Sequence, residues 1–190
     1  MDAVRLLARA QEWTGDVVAG VREEDLQKPT PCAEWDVAML LDHLIADLDT
    51  FNRVSSGEPL DLVTGIDPKV PDNAGGGWPD PTDRFAHLAA ESRDIWSRPG
   101  ALDQTYKTSR SEVPGEGLIM ITLIDTLVHG WDLAKATGQG TQMPDDVAEA
   151  AFAFTTKMMK GRRVGFDEPV SVPDDASVTD RLVGWLGRQP

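Results

Sequence analysis

Asp125 and His129 are two metal-capable side chains that lie four residues apart in a strongly apolar segment. In a helix, this spacing places both side chains on the same face, one turn apart. A carboxylate and an imidazole in that position can each donate one ligand to a divalent metal ion. The same spacing is also typical of a surface pair or of a hydrogen bond in a core, so a metal site needs a third ligand.

His43 is the best candidate for that third ligand. It belongs to a second strongly helical stretch, residues 37–48, and is one of only three histidines. On a helical wheel it lies at the margin of the apolar stripe, where a side chain can reach a cavity. Two imidazoles and one carboxylate leave a fourth metal position open, as catalytic zinc sites do.

Asp132 follows His129 by three residues on the same predicted helix face. It could orient a ligand from outside the metal shell, or carry a proton, as carboxylates beside metal-binding histidines do. The alternative is a solvated charge near the end of the helix. The fourth predicted helix is apolar on both sides of Asp125 and His129, and a buried carboxylate needs a cation or a well-bonded partner.

Other side chains that could take part in catalysis or metal binding have simpler interpretations. Cys32 lies in a proline-braced connector without a nearby histidine in the sequence, which favours a small buried packing role over a nucleophile. His87 is expected to be a packed or surface residue with Asp83 one turn earlier. Trp35 and Trp131 flank the proposed ligand segments and could form walls of a pocket.

Apolar periodicity predicts a mainly helical chain. The predicted helices cover residues 2–21, 37–54, 82–97, 114–137, 144–160 and 174–187, with Asp36 and Gly138 as caps. Residues 55–81, rich in proline and glycine, are predicted to form a loop that could act as a lid. Short strands are predicted near residues 102–113, as a strand or hairpin, and near residues 164–172.

Composition excludes several classes of function. The net charge of -14 disfavours binding to nucleic acid or to anionic membranes, and no long basic cluster offsets it. The single cysteine excludes an internal disulfide and fits a reducing compartment. Neither a signal peptide nor a membrane-spanning segment is predicted, so we expect a cytoplasmic protein that acts on a small molecule.

Three segments resemble a known group of proteins. They are Pro29-Thr-Pro-Cys-Ala-Glu-Trp-Asp-Val37 followed by His43, Leu127-Val-His-Gly-Trp-Asp-Leu-Ala-Lys-Ala-Thr-Gly138, and the ending from Val172 to Gly187-Arg-Gln-Pro190. Together they resemble the DinB/YfiT-like superfamily, in the group related to the metal-binding domain of mycothiol-dependent maleylpyruvate isomerase. The resemblance extends over nearly the whole chain.

The resemblance implies an all-α fold: a DinB-like four-helix bundle, here with additional C-terminal helices and a short hairpin. It implies one metal-binding domain over residues 1–190, with a bundle core over about 1–138 and a C-terminal extension over about 139–190. It also implies zinc, or alternatively nickel, bound by His43, Asp125 and His129. The isomerase pattern has glutamate at the position of Asp125, and the extension is too short for the isomerase's second domain.

The function expected from the resemblance is metal-dependent thiol chemistry. The open metal position would take a low-molecular-weight thiol such as mycothiol and present it to a small electrophile, for S-transfer or isomerisation. The alternatives are a metal-dependent hydrolase with the same ligands and a non-catalytic metal-binding bundle. Surplus apolar positions on the helices would also allow a homodimer.

Overall fold

The computed structural model describes residues 2–33, 35–60, 80–109, 111–158 and 166–190. The described elements are the helices α1 (Ala3–Ala19), α2 (Val37–Ser55), α3 (Pro81–Trp96), α4 (Gly115–Thr137), α5 (Asp145–Met158) and α6 (Val178–Trp185), a 3-10 turn at Glu23–Asp25, and the strands β1 (Thr105–Lys107) and β2 (Glu112–Pro114). The all-α prediction is confirmed, and so is the hairpin, in which Tyr106 pairs with Val113.

Short polar side chains cap the starts of α1, α2, α3 and α6, whereas α4 follows Pro114 without a side-chain cap. Asp36 accepts a hydrogen bond from the backbone N–H of Met39 at 2.9 Å, and Asp2 caps α1 in the same way. Gly138 ends α4 in the left-handed conformation, with φ of 74°, which glycine adopts without steric cost. These caps fix the ends of α2 and α4, the two helices that contain the predicted ligands.

The first four helices form the bundle. α1 packs against α3 and α4, and α2 packs against α3 and α4, so each helix has two neighbours. α4 is the central helix and most of its side chains are buried, including Leu118, Leu123 and Leu127. By length and composition α4 could cross a membrane, but 72% of its apolar window is buried inside the fold, as in a core helix.

α1 and α4 approach each other most closely at Gly130. A β-carbon at this position would lie 2.5 Å from Thr14 Oγ1 and 3.0 Å from a ring carbon of Trp13. The Thr14 hydroxyl donates a hydrogen bond to the backbone carbonyl of Thr126 at 3.1 Å. Because Gly130 follows His129 directly, this crossing fixes the depth of the histidine in the bundle.

The last two helices pack beside the first four. α5 contacts α1 and α4, and α6 packs on α5. The last helix is shorter than predicted, because Ser177 caps it and residues 174–175 form a turn. The strand predicted near residues 164–172 is wrong for the described residues 166–172, which form no strand. There the backbone N–H of Val170 bonds to the carbonyl of Gly184, the end of a helix and not a neighbouring strand.

Some predictions lie partly outside the described residues. Most of the predicted loop at 55–81 and the end of the fifth predicted helix fall there, at residues 61–79 and 159–160. The lid role for that loop and the division of the chain into a bundle core and an extension stay predictions.

Candidate metal centre

α2 and α4 bring the three predicted ligands together. The Nε2 atoms of His43 and His129 lie 3.2 Å apart, and His129 Nε2 is 3.6 Å from a carboxylate oxygen of Asp125. One potential ligand atom of each of the three residues lies within 4.8 Å of those of the other two. The i,i+4 spacing on α4 therefore places Asp125 and His129 on one face, and α2 contributes His43 opposite them.

These distances fit a bound divalent metal ion. Two zinc–nitrogen bonds at a tetrahedral angle place the nitrogen atoms about 3.3 Å apart, close to the observed 3.2 Å between the imidazoles. Two imidazoles and a carboxylate are also a donor set that zinc accepts in catalytic sites. The aspartate that replaces the glutamate of the isomerase pattern is close enough to take part.

Asp47 is a further potential ligand beside His43 that was not predicted from the sequence. Its carboxylate lies 3.4 Å from His43 Nε2, the same atom that faces His129. Asp47 is buried, one helical turn after His43. The pair His43 and Asp47 on α2 thus repeats, in reverse order, the i,i+4 pair on α4, and this repetition was the available signal.

An aromatic wall covers the two imidazoles. The ring centroid of Trp35 lies 4.3 Å from that of His43 and 6.2 Å from that of His129. Trp35 therefore lies beside both candidate histidine ligands. Trp131 is instead fully buried in the hydrophobic core, where Lys135 Nζ lies 5.6 Å from the centre of its ring.

The other nitrogen of His129 faces a different group of side chains. Nδ1 lies 3.4 Å from Oδ2 of Asp132, which is completely buried. The same carboxylate accepts hydrogen bonds from Arg188 Nη2 at 3.0 Å and Nε at 3.3 Å. The Cys32 thiol donates to Asp132 at 3.3 Å. Asp132 is therefore not a solvated helix-end charge but the centre of a buried polar cluster.

Cys32 combines the predicted packing role with polar contacts that were not predicted. It is half-buried against an apolar cluster, and its thiol also contacts polar groups of α4 and of the C-terminal segment. Cys32, His129 and Asp132 form a second group whose donor atoms could hold a metal ion. The fold thus supplies the histidine neighbour that the local sequence lacks. His87, by contrast, is exposed on α3, as expected.

The charges of the cluster change the pKa values of its members. Burial, followed by the charge of Asp125, raises the pKa of Asp47 to about 8. Burial raises the pKa of Asp125 as well. For His129, burial lowers the pKa, but the charges of Asp125 and Asp132 outweigh it and hold the pKa well above its usual value. Without a cation, this cluster therefore retains protons at neutral pH.

Asp132 has the opposite shift. Burial alone would raise its pKa, but contacts with His129 and Arg188 outweigh burial, so the pKa lies below its ordinary value. Asp132 therefore stays ionised at neutral pH. An ionised, fully bonded carboxylate is suited to orienting a neighbour and poorly suited to carrying protons.

Comparison with known proteins finds a matching family and relatives that align over nearly the whole chain. The family described as "Mycothiol maleylpyruvate isomerase N-terminal domain" matches residues 7–134, which include all three predicted ligands. "Uncharacterized protein Rv0738" of Mycobacterium tuberculosis strain H37Rv is 31% identical over 194 residues, covering 99% of this chain and 98% of that protein. "Uncharacterized protein MT0763" of strain CDC 1551 matches with the same identity and coverage. No solved structure matches significantly.

Proposed function

Because this chain belongs to the family of mycothiol maleylpyruvate isomerase N-terminal domains, we propose that it is a metal-dependent enzyme of thiol chemistry. It would use a low-molecular-weight thiol, such as mycothiol, for S-transfer to a small electrophile or for its isomerisation. The main support is the 3.2 Å approach of the His43 and His129 Nε2 atoms beside the Asp125 carboxylate. Two imidazoles that share a proton or a cation explain that approach.

The metal in this proposal is zinc, or alternatively nickel, held by His43, Asp125 and His129. Nitrogen and oxygen donors of this kind suit both ions. When bound, the ion would supply Lewis acidity, which lowers the pKa of a thiol so that it reacts as thiolate. The three ligands leave one coordination position for that thiol.

The surrounding side chains have separate tasks. Trp35 lies against the His43 ring and limits the access of water to the imidazole pair. Asp47 can hold a proton at neutral pH, 3.4 Å from His43 Nε2, and is the better candidate for a proton carrier. Asp132, with its lowered pKa, orients His129.

One observation favours a different class, a non-catalytic metal-binding bundle. Asp47 lies 3.4 Å from His43 Nε2 but outside the group of three residues whose donor atoms are all within 4.8 Å of one another, so it would become a fourth protein ligand after a shift of its side chain. Four protein ligands would close the metal shell, as in structural zinc sites. A hydrolase with the same three ligands is the remaining alternative, because it requires the open position but no thiol.

The first experiment measures metal content. We expect about one equivalent of zinc or nickel in the purified protein and less than about a tenth in His43→Ala and His129→Ala. His87→Ala is the matched control, because His87 is exposed on α3. Equal metal content in all four proteins would overturn the assignment of the ligands.

A second experiment separates the three classes of function. Thermal-shift titrations with mycothiol and with simple thiols are made on the metal-loaded and the chelated protein. Thiol-dependent stabilisation only of the loaded protein supports thiol chemistry. Turnover of ester or amide substrates without thiol would favour a hydrolase. A loaded protein that binds no thiol, and whose Asp47→Asn variant gains thiol binding, would indicate a closed structural site.

A further inference from the structure

Arg188 is a buried arginine that belongs to no predicted site. Its side chain is 9% exposed and makes two hydrogen bonds with the Asp132 carboxylate, through Nε and Nη2. A planar guanidinium with two parallel contacts fixes a carboxylate in position as well as in charge. Arg188 thus connects the C-terminal segment to α4, 56 residues away in the sequence.

The turn at the end of α6 positions this side chain. Gly187 has φ of 85°, and a β-carbon on it would lie 2.6 Å from Asp167 Cβ. The N–H of Gly187 bonds to the carbonyl of Gly184, and the N–H of Arg188 bonds to the carbonyl of Val183. This pair of bonds is the Schellman motif, which turns the chain sharply after a helix. The turn directs Arg188 back across the bundle toward Asp132.

Asp132 in turn faces the nitrogen of His129 that does not point to the other ligands. Its Oδ2 lies 3.4 Å from Nδ1, while Nε2 of the same ring lies 3.2 Å from His43 Nε2. A carboxylate at Nδ1 favours the tautomer with hydrogen on that atom, which leaves a lone pair on Nε2 for a metal ion.

We propose that Arg188 is a positioning residue for the metal centre: it holds Asp132, and Asp132 fixes the orientation and tautomer of His129. This inference rests on the proposed metal function and adds to it a residue from the C-terminal extension. It also explains why the group of Cys32, His129 and Asp132 is a poor metal site, because the Arg188 guanidinium already neutralises it at 3.0 Å from Asp132 and 3.7 Å from the thiol.

The test measures the affinity of the protein for Co²⁺ and Zn²⁺ by competition with a coloured chelator, well below the unfolding temperature. Arg188→Met and Arg188→Lys are compared with the wild type. We expect binding to weaken about 10–100-fold in Arg188→Met, the range for lost partners of metal ligands. Arg188→Lys keeps the charge but not the two-point contact, and we expect it to restore binding only in part.

A double variant covers the case in which Arg188→Met does not fold. Arg188→Met with Asp132→Leu removes both buried charges together, a replacement that is often neutral for stability. We expect this protein to fold and still bind Co²⁺ about 10–100-fold more weakly, with shifted visible absorption bands. Arg181→Met is the matched control on α6, because Arg181 is exposed and lies over Phe152.

The outcomes distinguish this inference from the proposed function. A wild-type protein that binds no divalent metal overturns both. A wild type that binds metal, with folded Arg188 variants whose affinity lies within about 3-fold of it, overturns the positioning role alone. A merely structural role would lower the unfolding temperature but leave the affinity and the Co²⁺ absorption bands unchanged.

Discussion

The two nitrogen atoms of His129 face two clusters that look alike in composition but differ in charge balance. On the Nδ1 side, the negative charge of Asp132 is matched by Arg188 at 3.0 Å. On the Nε2 side, Asp47 and Asp125 lie beside two imidazoles, and no lysine or arginine in the described part of the chain lies within ion-pair distance of either carboxylate. Both sides contain three donors that could hold a metal ion.

This difference indicates where a cation belongs. Donor count alone does not separate the two clusters, because each offers a histidine and a carboxylate. A buried carboxylate must be compensated. Among the described residues, Asp47 and Asp125 have no lysine or arginine in ion-pair contact, and the charge of Arg188 acts on Asp125 only from a greater distance. The Nδ1 side therefore has its own counterion, and this difference in charge supports our proposal that the metal binds on the Nε2 side.

The largest expected effect is on the free energy of unfolding, which an Asp→Asn substitution should change in opposite directions on the two sides of His129. Asp132→Asn leaves the Arg188 guanidinium buried without its counterion, so we expect the free energy of unfolding of the metal-free protein to fall by about 3 kcal/mol. Asp125→Asn removes a carboxylate whose charged form is disfavoured by burial. We therefore expect the free energy of unfolding to rise by about 1 kcal/mol. Urea denaturation with chelator present measures both.

The metal-loaded proteins give the control for this pair. Zinc should stabilise the wild type strongly and Asp125→Asn very little, since a ligand is lost. Equal destabilisation of both variants without metal would contradict the difference in charge balance.

The pH dependence of stability gives the next effect. The folded-state pKa of Asp47, about 8, exceeds that of the unfolded chain, and the pKa of His129 is raised as well. Groups with raised pKa stabilise the fold at low pH, and this stabilisation is lost as pH rises. Chelated protein should therefore lose about 2 kcal/mol between about pH 5.5 and about pH 7.5.

Two comparisons check this loss of stability with rising pH, by denaturation at a series of pH values. Asp47→Asn should flatten it, because the titrating group is gone. Zinc should reverse it, because protons compete with the metal for the ligands. A chelated wild type whose stability rises over this range would show that the Nε2 cluster does not retain protons.

Gly130→Ala tests the packing that both sides share. The new methyl group would meet Thr14 Oγ1 at 2.5 Å, so we expect a loss of about 1–2 kcal/mol, even though alanine favours helix. Gly117→Ala on the same helix is the matched control, since its β-carbon would meet Val113 at an ordinary 3.7 Å. The shifts in unfolding temperature of the two variants should have opposite signs. Equal unfolding temperatures would exclude a tight α1–α4 crossing.

Cys32→Ala gives the smallest expected effect. Arg188 already pairs with Asp132, so loss of the thiol should cost less than about 1 kcal/mol and leave metal affinity within about 3-fold. Co²⁺ spectra of the wild type provide the measurement. A near-ultraviolet thiolate-to-cobalt band that disappears in Cys32→Ala would place the metal on the Nδ1 side.

The sequence predicted those parts of the site that depend on local geometry. The i,i+4 spacing placed Asp125 and His129 on one helix face, and the margin position of His43 turned it toward them. Capping residues and apolar periodicity predicted the bundle and the hairpin. Asp47 could have been found by the same rule, since it follows His43 by four residues.

Arg188 and Cys32 could not be found in this way. They reach Asp132 across 56 and 100 residues of sequence. Glycine at position 187 is a local signal for the turn, but the approach of both side chains to Asp132 depends on how the connector before α2 and the C-terminal segment pack on the bundle, which no local pattern encodes. The strand predicted near residues 164–172 is wrong for a similar reason: the described part, residues 166–172, packs beside α6 without a partner strand.

Trp35 gives this protein an internal optical reporter. Its indole lies 4.3 Å from the His43 ring, and tryptophan emission is sensitive to a protonated imidazole or an open-shell ion at such a distance. Nickel or cobalt should therefore quench its fluorescence, whereas zinc, with a filled d shell, should only displace the quenching proton. The difference between the spectra of wild type and Trp35→Phe isolates this signal from the other five indoles.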